Sequence, residues 1–157
     1  MPRKFRVILN YWLPPLLLSF AILALSGELG SSGYTLRLVK WVLNFLLPSL
    51  PLDQINAIHH YLRKLGHITA YGILYLLWFR NFQGHLRHTS KLSFLGALVL
   101  CLLIASLDET HQALLPSRSG SLRDVVLDIT GAALAAAVNG IILKSRSKTG
   151  PRGGIIN

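Results

Sequence analysis

Four of the six acidic residues in the chain lie between positions 106 and 131, a polar segment with almost purely apolar sequence on both sides. They are Asp108, Glu109, Asp124 and Asp128. A carboxylate at the centre of a membrane-inserted helix costs about 2.5–3.5 kcal/mol, so we expect such residues to have a partner or a function. Carboxylates act as general acids or bases, accept hydrogen bonds from hydroxyl and amide groups, or bind hard cations.

Polar residues around these carboxylates recur at helical spacing, three, four or seven residues apart, so that each set shares one face of a helix. Asp128 comes seven residues after Ser121 and would lie about 10 Å further along its helix, too deep for an ordinary surface carboxylate. Three helices would therefore direct polar groups to one level of the molecule. The sets are Lys64, His67 and Tyr71; Asp108, Glu109 and Gln112; and Ser121, Asp124, Asp128 and Gly131.

A permanently charged guanidinium, that of Arg118, lies between the second and third sets. In a binding site it would hold an anionic group, while the Asp and Gln side chains would pair with hydroxyls or amides. In an enzyme, Arg118 would stabilise developing negative charge, and the candidates for general acid and base are His67, Glu109, Asp124 and Asp128. The four carboxylates could instead hold a hard divalent cation, but the chain has no dense acidic motif, and we predict neither a metal site nor a cofactor.

Each of these groups also has a purely structural interpretation. His67 and Tyr71 could be an interhelical hydrogen-bonded pair that aids packing. Arg118 and Arg123 could form an ion network with the carboxylates, and Asp124 could cap a helix or interact with its dipole. The concentration of so many polar types at one level favours a site.

The composition is that of a membrane protein. Of the 157 residues, 52% are hydrophobic and 14% are charged, whereas soluble domains carry about 25% charged residues. The net charge of +10 comes from short basic clusters between apolar runs, where Lys and Arg act as topology signals. Because no basic stripe is interleaved with aromatic residues, we exclude nucleic-acid binding.

The apolar runs predict four transmembrane helices in a single domain, residues 1–157, that ends in a basic tail at 144–157. The first run is longer than the apolar region of a usual signal peptide and further spans follow it, so we expect it to be retained rather than cleaved. The third run needs the polar segment through Gln112 to reach spanning length. The spans are residues 7–26, 65–82, 92–112 and 122–143.

One or two amphipathic helices are expected between the first and second spans. In residues 36–47 the polar residues Arg37, Lys40 and Asn44 share one face of an apolar helix, as in helices that lie in the membrane interface. Residues 53–65 form a second such segment, in which the two histidines at 59 and 60 are expected to be solvated. The predicted fold is therefore an all-α polytopic membrane bundle of four spans with one or two interfacial helices.

The distribution of Lys and Arg predicts the orientation. With four spans, ten of the 16 Lys and Arg residues fall at the termini and between the second and third spans. Cytoplasmic segments are enriched in these residues, so both termini are predicted to be cytoplasmic in a cell membrane. The polar sets would then face the exterior or periplasm.

The polar sets also follow one another in a specific pattern. It reads Lys64-x-x-His67-x-x-x-Tyr71, then Asp108-Glu109-x-x-Gln112-x-x-x-Pro116-x-Arg118-x-x-Ser121-x-x-Asp124-x-x-x-Asp128-x-x-Gly131. This pattern resembles that of the VanZ-like family of small bacterial integral membrane proteins. The resemblance implies a helical membrane protein, and the founding member of the family is linked to low-level teicoplanin (glycopeptide) resistance. Asp128 departs from the family pattern, in which Asn is expected, and this change would alter the charge or the metal preference of the position.

Two functions of different classes remain. The first is binding: a pocket facing outward would recognise a lipid headgroup, a lipid-linked cell-envelope precursor or an amphiphilic drug. The second is an enzyme that acts on a lipid or a lipid-linked headgroup by carboxylate and histidine acid-base chemistry. Binding is favoured because the chain has no recognised nucleophile arrangement. The sequence predicts no oligomeric state.

Overall fold

A computed structural model of the chain describes residues 3–25, 27, 31–85, 89–115 and 120–149. The prediction of an all-α protein is confirmed, because helices account for nearly all of these residues and none of them lies in a strand. Two π-helical segments interrupt the α-helices, one at Ile8–Trp12 and one at Asn81–His85. The α-helices are α1 (Arg3–Val7), α2 (Leu13–Leu25), α3 (Ser32–Leu46), α4 (Leu52–Arg80), α5 (Ser90–Ala113) and α6 (Leu122–Thr149).

Among the described residues, three helical stretches are long and apolar enough to cross a membrane: Phe5–Leu25, Ser90–Ala113 and Leu122–Arg146. They correspond to the first, third and fourth predicted spans. The polar segment through Gln112 continues α5 as one helix, as the third span requires. The second predicted span, residues 65–82, covers the second half of α4 and the first two residues of the π-helical segment after it, and it is not among the three. Glycine, histidine and tyrosine residues make it less apolar, which a helix surrounded by other helices tolerates.

The amphipathic segments between the first and second spans differ from each other. Residues 36–47 lie in α3, none of whose residues is buried, and Trp41 and Phe45 stack at its surface with ring centroids 6.5 Å apart. Residues 53–65 are instead the first half of the continuous helix α4. The prediction that both histidines there are solvated is wrong for His59, which is buried, and right for His60, which is exposed.

The N-terminal helix is joined to the rest of the bundle next to its prolines. In an α-helix the carbonyl of Tyr11 would accept from the N–H of residue 15, but Pro15 has none. The side chain of Asn81, at the end of α4, donates to this carbonyl instead, with Nδ2 2.8 Å from the oxygen. The Trp12 and Trp78 rings meet edge to face beside this bond, with centroids 6.5 Å apart.

The core lies where α4, α5 and α6 pack together, and its contact between α4 and α6 is unusually close. A Cβ built on Gly131 would lie 2.7 Å from the Cα of Ile68, so no larger residue fits there without moving α4. Small residues of this kind let helix backbones approach closely in membranes. This approach places the middle of α4 beside the first turns of α6. The buried core residues are Tyr71, Leu74, Tyr75, Trp78, Phe79, Ala97, Cys101, Ile104, Ala105, Ala132 and Ala136.

Candidate functional site

A histidine and an aspartate from α4 and α6 form an ion pair beside the close helix contact. His67 Nδ1 lies 2.9 Å from Asp128 Oδ1, a distance at which an imidazole N–H donates to a carboxylate. The side chain of Asp128 is 0% exposed and that of His67 is 28% exposed. The carboxylate is thus fully buried, whereas the imidazole reaches accessible space. The pair lies three residues from Gly131 in α6 and one residue from Ile68 in α4, so the glycine contact sets its distance.

The last turns of α5 bring two more carboxylates to the same place. Asp108 and Glu109 are buried, as is Gln112 one turn further on. Gln112 Nε2 donates to Asp108 Oδ2 at 3.1 Å and to Glu109 Oε1 at 3.4 Å. The amide therefore holds both carboxylates in fixed orientations.

The N-terminus of α6 is hydrogen-bonded to Glu109, one of these two carboxylates. The backbone N–H of Ser121 donates to Glu109 Oε2 at 2.7 Å, and the Ser121 hydroxyl accepts from the backbone N–H of Arg123 at 3.2 Å. A Cβ on Gly120 would lie 2.8 Å from the Cβ of Ala113. Only a glycine at 120 allows the chain to pass close enough to α5 for the bond between Ser121 and Glu109 to form.

Three carboxylates thus converge. One oxygen from each of Asp108, Glu109 and Asp128 lies within 4.8 Å of the others. Within the described part of the chain, Asp128 Oδ2 and the hydroxyl of Tyr71 are buried without a hydrogen-bond partner. Other buried atoms of the described residues, among them Asn81 Oδ1 and Ser93 Oγ, also lack a partner; Asp128 Oδ2 differs from these because it belongs to a carboxylate in a cluster of three.

A cavity of about 320 Å³ opens beside this cluster. Helices α2 and α4 give it apolar lining residues, namely Ile22, Leu25, Gly66 and Ala70. The rest of the lining is polar or charged and comes from α3, α4 and α5: Thr35, Arg63, His67, Tyr71, Asp108 and Gln112. One cavity therefore combines an apolar side with a side that offers both charges and several hydrogen-bonding groups.

A smaller cavity of about 140 Å³ lies between α4 and α6. His67 and Arg63 line both cavities, so the two cavities adjoin at these side chains. Lys64 and Asp124 line only the smaller of the two. Asp124 lies in the first turn of α6, where the helix dipole favours a carboxylate, and it is Ser121 that caps this helix.

The predicted site residues are thus divided. The structure brings together His67, Tyr71, Asp108, Glu109, Gln112 and Asp128 around the carboxylate cluster, and Ser121 joins them through its backbone. Lys64 and Asp124 line the smaller cavity instead. Arg118 lies outside the described residues.

Two cavity residues were missed by the sequence analysis, Thr35 and Arg63. Arg63 Nη1 donates to Thr35 Oγ1 at 3.4 Å, and Thr35 Oγ1 is 2.8 Å from His59 Nε2. Burial lowers the pKa of His59, and the nearby Arg63 and His60 lower it further. Arg63 precedes His67 by four residues and so shares its helix face, a signal that was available in the sequence.

Comparisons with known proteins identify the family of the chain. No curated protein and no solved structure matches the chain. The model of the family described as VanZ/LLP1 matches residues 9–143, which include the helices that form both cavities and the carboxylate cluster. The resemblance seen in the polar pattern is confirmed, and the chain belongs to the VanZ/LLP1 family.

Proposed function

We propose that this membrane protein binds the polar headgroup of an amphiphile in the larger cavity. The amphiphile is a membrane lipid, a lipid-linked cell-envelope precursor or an amphiphilic drug. The observation that carries the proposal is the mixed lining of the cavity: α2 supplies only the apolar residues Ile22 and Leu25, whereas α5 supplies only polar ones. A cavity with a few converging polar groups and an otherwise apolar lining is typical of a ligand site.

The charges of the polar side fit a headgroup with both acidic and hydrogen-bonding parts. Arg63 carries a planar guanidinium that can donate two parallel hydrogen bonds to a phosphate or carboxylate. Asp108 and Gln112 line the same cavity and can accept from hydroxyl, amide or ammonium groups. A ligand with an anionic group and neighbouring hydrogen-bond donors would pair with Arg63 through its anionic group and with Asp108 and Gln112 through its donors.

The size of the cavity supports a headgroup rather than a whole lipid. About 320 Å³ is at the lower end of the range for small-molecule sites. The acyl or prenyl chain would therefore lie outside, along the apolar surface of α2, where Leu16, Leu17 and Leu25 are exposed.

The proposal includes a topology. We infer that residues 65–82 form the second of four spans, that the first half of α4 lies outside the membrane core, and that α3 lies in the membrane interface, with Trp41 and Phe45 in the lipid. The Lys and Arg bias then places both termini in the cytoplasm and the cavity toward the exterior. Labelling of single cysteines introduced at Ser32 and Thr89, in a Cys101→Ser background, tests the orientation, because these exposed positions would lie on opposite sides of the membrane.

A role in glycopeptide resistance is carried by the family resemblance alone. The proposed ligand class is compatible with it, because lipid-linked cell-wall precursors are amphiphiles with large polar headgroups. Measurement of teicoplanin sensitivity in cells with and without the gene tests this part separately.

The binding proposal is tested by filling the cavity without changing its charges. In Ala70→Leu the larger side chain would occupy the cavity, and native mass spectrometry of the protein purified in detergent should show at least a ten-fold loss of co-purified amphiphile. Ala57→Leu is the matched control, since Ala57 lies on α4 but is exposed and remote from the cavity. Equal amphiphile content in both variants would contradict the proposal.

The second candidate is a lipid hydrolase, and the observation that favours it is the 2.9 Å hydrogen bond between His67 Nδ1 and Asp128 Oδ1, which leaves Nε2 of a neutral imidazole free to act as a base. A histidine oriented by a carboxylate can take a proton from water as the water attacks an ester, and return it to the leaving oxygen. The native protein in detergent should then release product from a bound lipid. His67→Ala should abolish turnover while binding remains. If the native protein gives no product from a lipid that it binds, this candidate is wrong.

A further inference from the structure

We propose that Asp108, Glu109 and Asp128 bind one hard divalent cation, such as Mg²⁺ or Ca²⁺, beside the larger cavity. Their nearest oxygens lie within 4.8 Å of one another. Oxygens that coordinate Ca²⁺ at 2.3–2.6 Å are at most about 5 Å apart across the ion, whereas those around Mg²⁺ at 2.0–2.1 Å are at most about 4 Å apart. The three carboxylates therefore fit around an ion of the size of Ca²⁺ as they stand and would have to move closer, by about half an ångström, around Mg²⁺. The sequence analysis did not predict this site.

A second observation points to an occupant. Asp128 Oδ2 and the hydroxyl of Tyr71 are fully buried and, among the described residues, neither has a hydrogen-bond partner. Tyr71 and Asp108 line the same cavity, so the Tyr71 side chain lies on the side of α4 that faces the cluster. A buried acceptor without a partner costs about 1–3 kcal/mol, and more when it is charged. A cation, with Tyr71 contacting it directly or through water, removes this cost.

The hydrogen bonds around the cluster orient the carboxylates as ligands. His67 holds Oδ1 of Asp128, so Oδ2 of the same group is directed elsewhere. Gln112 holds Oδ2 of Asp108, and the Ser121 N–H holds Oε2 of Glu109. Carboxylates that bind metals are commonly fixed by hydrogen bonds of this kind, which raise affinity by reducing the freedom of each ligand.

The arrangement favours a free ion over an ammonium group of a lipid. Of the three carboxylates, Asp108 lines the larger cavity, whereas Glu109 and Asp128 lie behind it. An occupant that contacts all three must pass Asp108 and be small. An ammonium attached to a lipid phosphate would stop at Asp108. Asp124, the fourth acidic residue of the region, lines the smaller cavity and takes no part.

The test uses the full-length protein in detergent after treatment with EDTA. Mn²⁺ is the probe, because bound Mn²⁺ loses its sharp electron paramagnetic resonance signal, and Mg²⁺ and Ca²⁺ are then used to displace it. We expect one saturable Mn²⁺ per chain and a rise in the thermal midpoint with each divalent ion at constant ionic strength. Asp128→Asn and Glu109→Gln should each weaken Mn²⁺ binding at least ten-fold. The control Asp53→Asn removes an exposed carboxylate of α4 and should leave binding unchanged.

Several results would overturn the proposal. They are an absence of saturable Mn²⁺ binding by the native chain, unchanged affinity in both cluster variants, or a saturable stabilisation by ethanolamine but not by divalent ions. Should a cluster variant fold poorly, Tyr71→Phe removes only a hydroxyl and should still weaken binding measurably. Amphiphile content measured on the EDTA-treated protein is a separate readout, so failure of the cation site and failure of the proposed headgroup binding are distinguishable.

Discussion

Two fully buried polar side chains, Asn81 and Asp128, lie at different levels of the bundle and are buried for different reasons. Asn81 is 0% exposed and donates to the Tyr11 carbonyl that Pro15 leaves without a partner. Asp128 is also 0% exposed, and like Asn81 it has one side-chain oxygen without a partner among the described residues. It differs from Asn81 because it is a carboxylate and lies beside two further carboxylates, Asp108 and Glu109. About 20 Å along α4 separates Asn81 from the residue that pairs with Asp128. The Asn81 amide donates a hydrogen bond that the fold requires, whereas Asp128 belongs to the cluster for which we propose a cation.

The close contact between α4 and α6 holds His67 next to Asp128. Loss of this contact should have the largest effect on stability and binding. Gly131→Ala would force the helices apart, because the new Cβ meets backbone atoms of Ile68. We expect about 3 kcal/mol of destabilisation, together with loss of the ion pair and of ligand binding, measured by thermal unfolding in detergent. Gly140→Ala on the same helix is the control: a Cβ there meets nothing within 4 Å, and the change should be neutral or slightly stabilising.

Replacement of the buried amide of Asn81 should change only the stability of the protein. Asn81→Leu leaves the Tyr11 carbonyl without its donor, so we expect about 2 kcal/mol of destabilisation. Amphiphile and cation binding near Asp128 should be unchanged once the protein is folded. Asn44→Leu on the exposed face of α3 is the control and should have little effect on unfolding. A loss of binding in Asn81→Leu, measured well below its unfolding temperature, would show that Asn81 and the carboxylate cluster are not independent.

Replacement of the buried carboxylate of Asp128 should weaken ligand binding and leave the stability nearly unchanged. Asp128→Asn keeps an oxygen that can accept from His67, so the free energy of unfolding in EDTA should change by less than about 1 kcal/mol. Binding of the cation, by contrast, should fall at least ten-fold. If Asp128→Asn instead destabilises the protein as much as Asn81→Leu does, the carboxylate is structural and the contrast between the two residues is lost.

The smallest effect is expected where α3 meets α4. Burial lowers the pKa of His59 below its ordinary value of 6.5, so the folded state favours the neutral ring. The folded-state pKa lies below the unfolded one, so this contribution is complete above pH 6.5 and decreases as the pH falls below that value. Hydrogen exchange of α3 should therefore accelerate slightly below pH 6. His59→Gln should remove this pH dependence, and His60→Gln, at an exposed residue, should retain it.

The sequence predicted the parts of the molecule that depend on local pattern. Apolar runs predicted the helices Phe5–Leu25, α5 and α6, and the spacing of Asp108, Glu109 and Gln112 predicted their shared face. The amphipathic segment 53–65 and the span after it form one continuous helix, and the composition changes near residue 65 because the surroundings of that helix change. The contact of His67 with Asp128 depends on how α4 packs against α6, and spacing within one helix carries no information about that. Arg63 was counted as a topology signal, so its place in the cavity was missed.

The bond between Asn81 and the Tyr11 carbonyl also bears on how sequences of this fold can vary. An amide at position 81 is useful because position 15 lacks an N–H; if position 15 supplied one, the carbonyl would have its own helical donor, and the buried amide would only be a desolvation penalty. Positions 15 and 81 should therefore covary among natural relatives. A proline at position 15 should occur together with a hydrogen-bond donor at position 81, and a chain without the proline should lack the donor. A change at one site alone would select for compensation at the other.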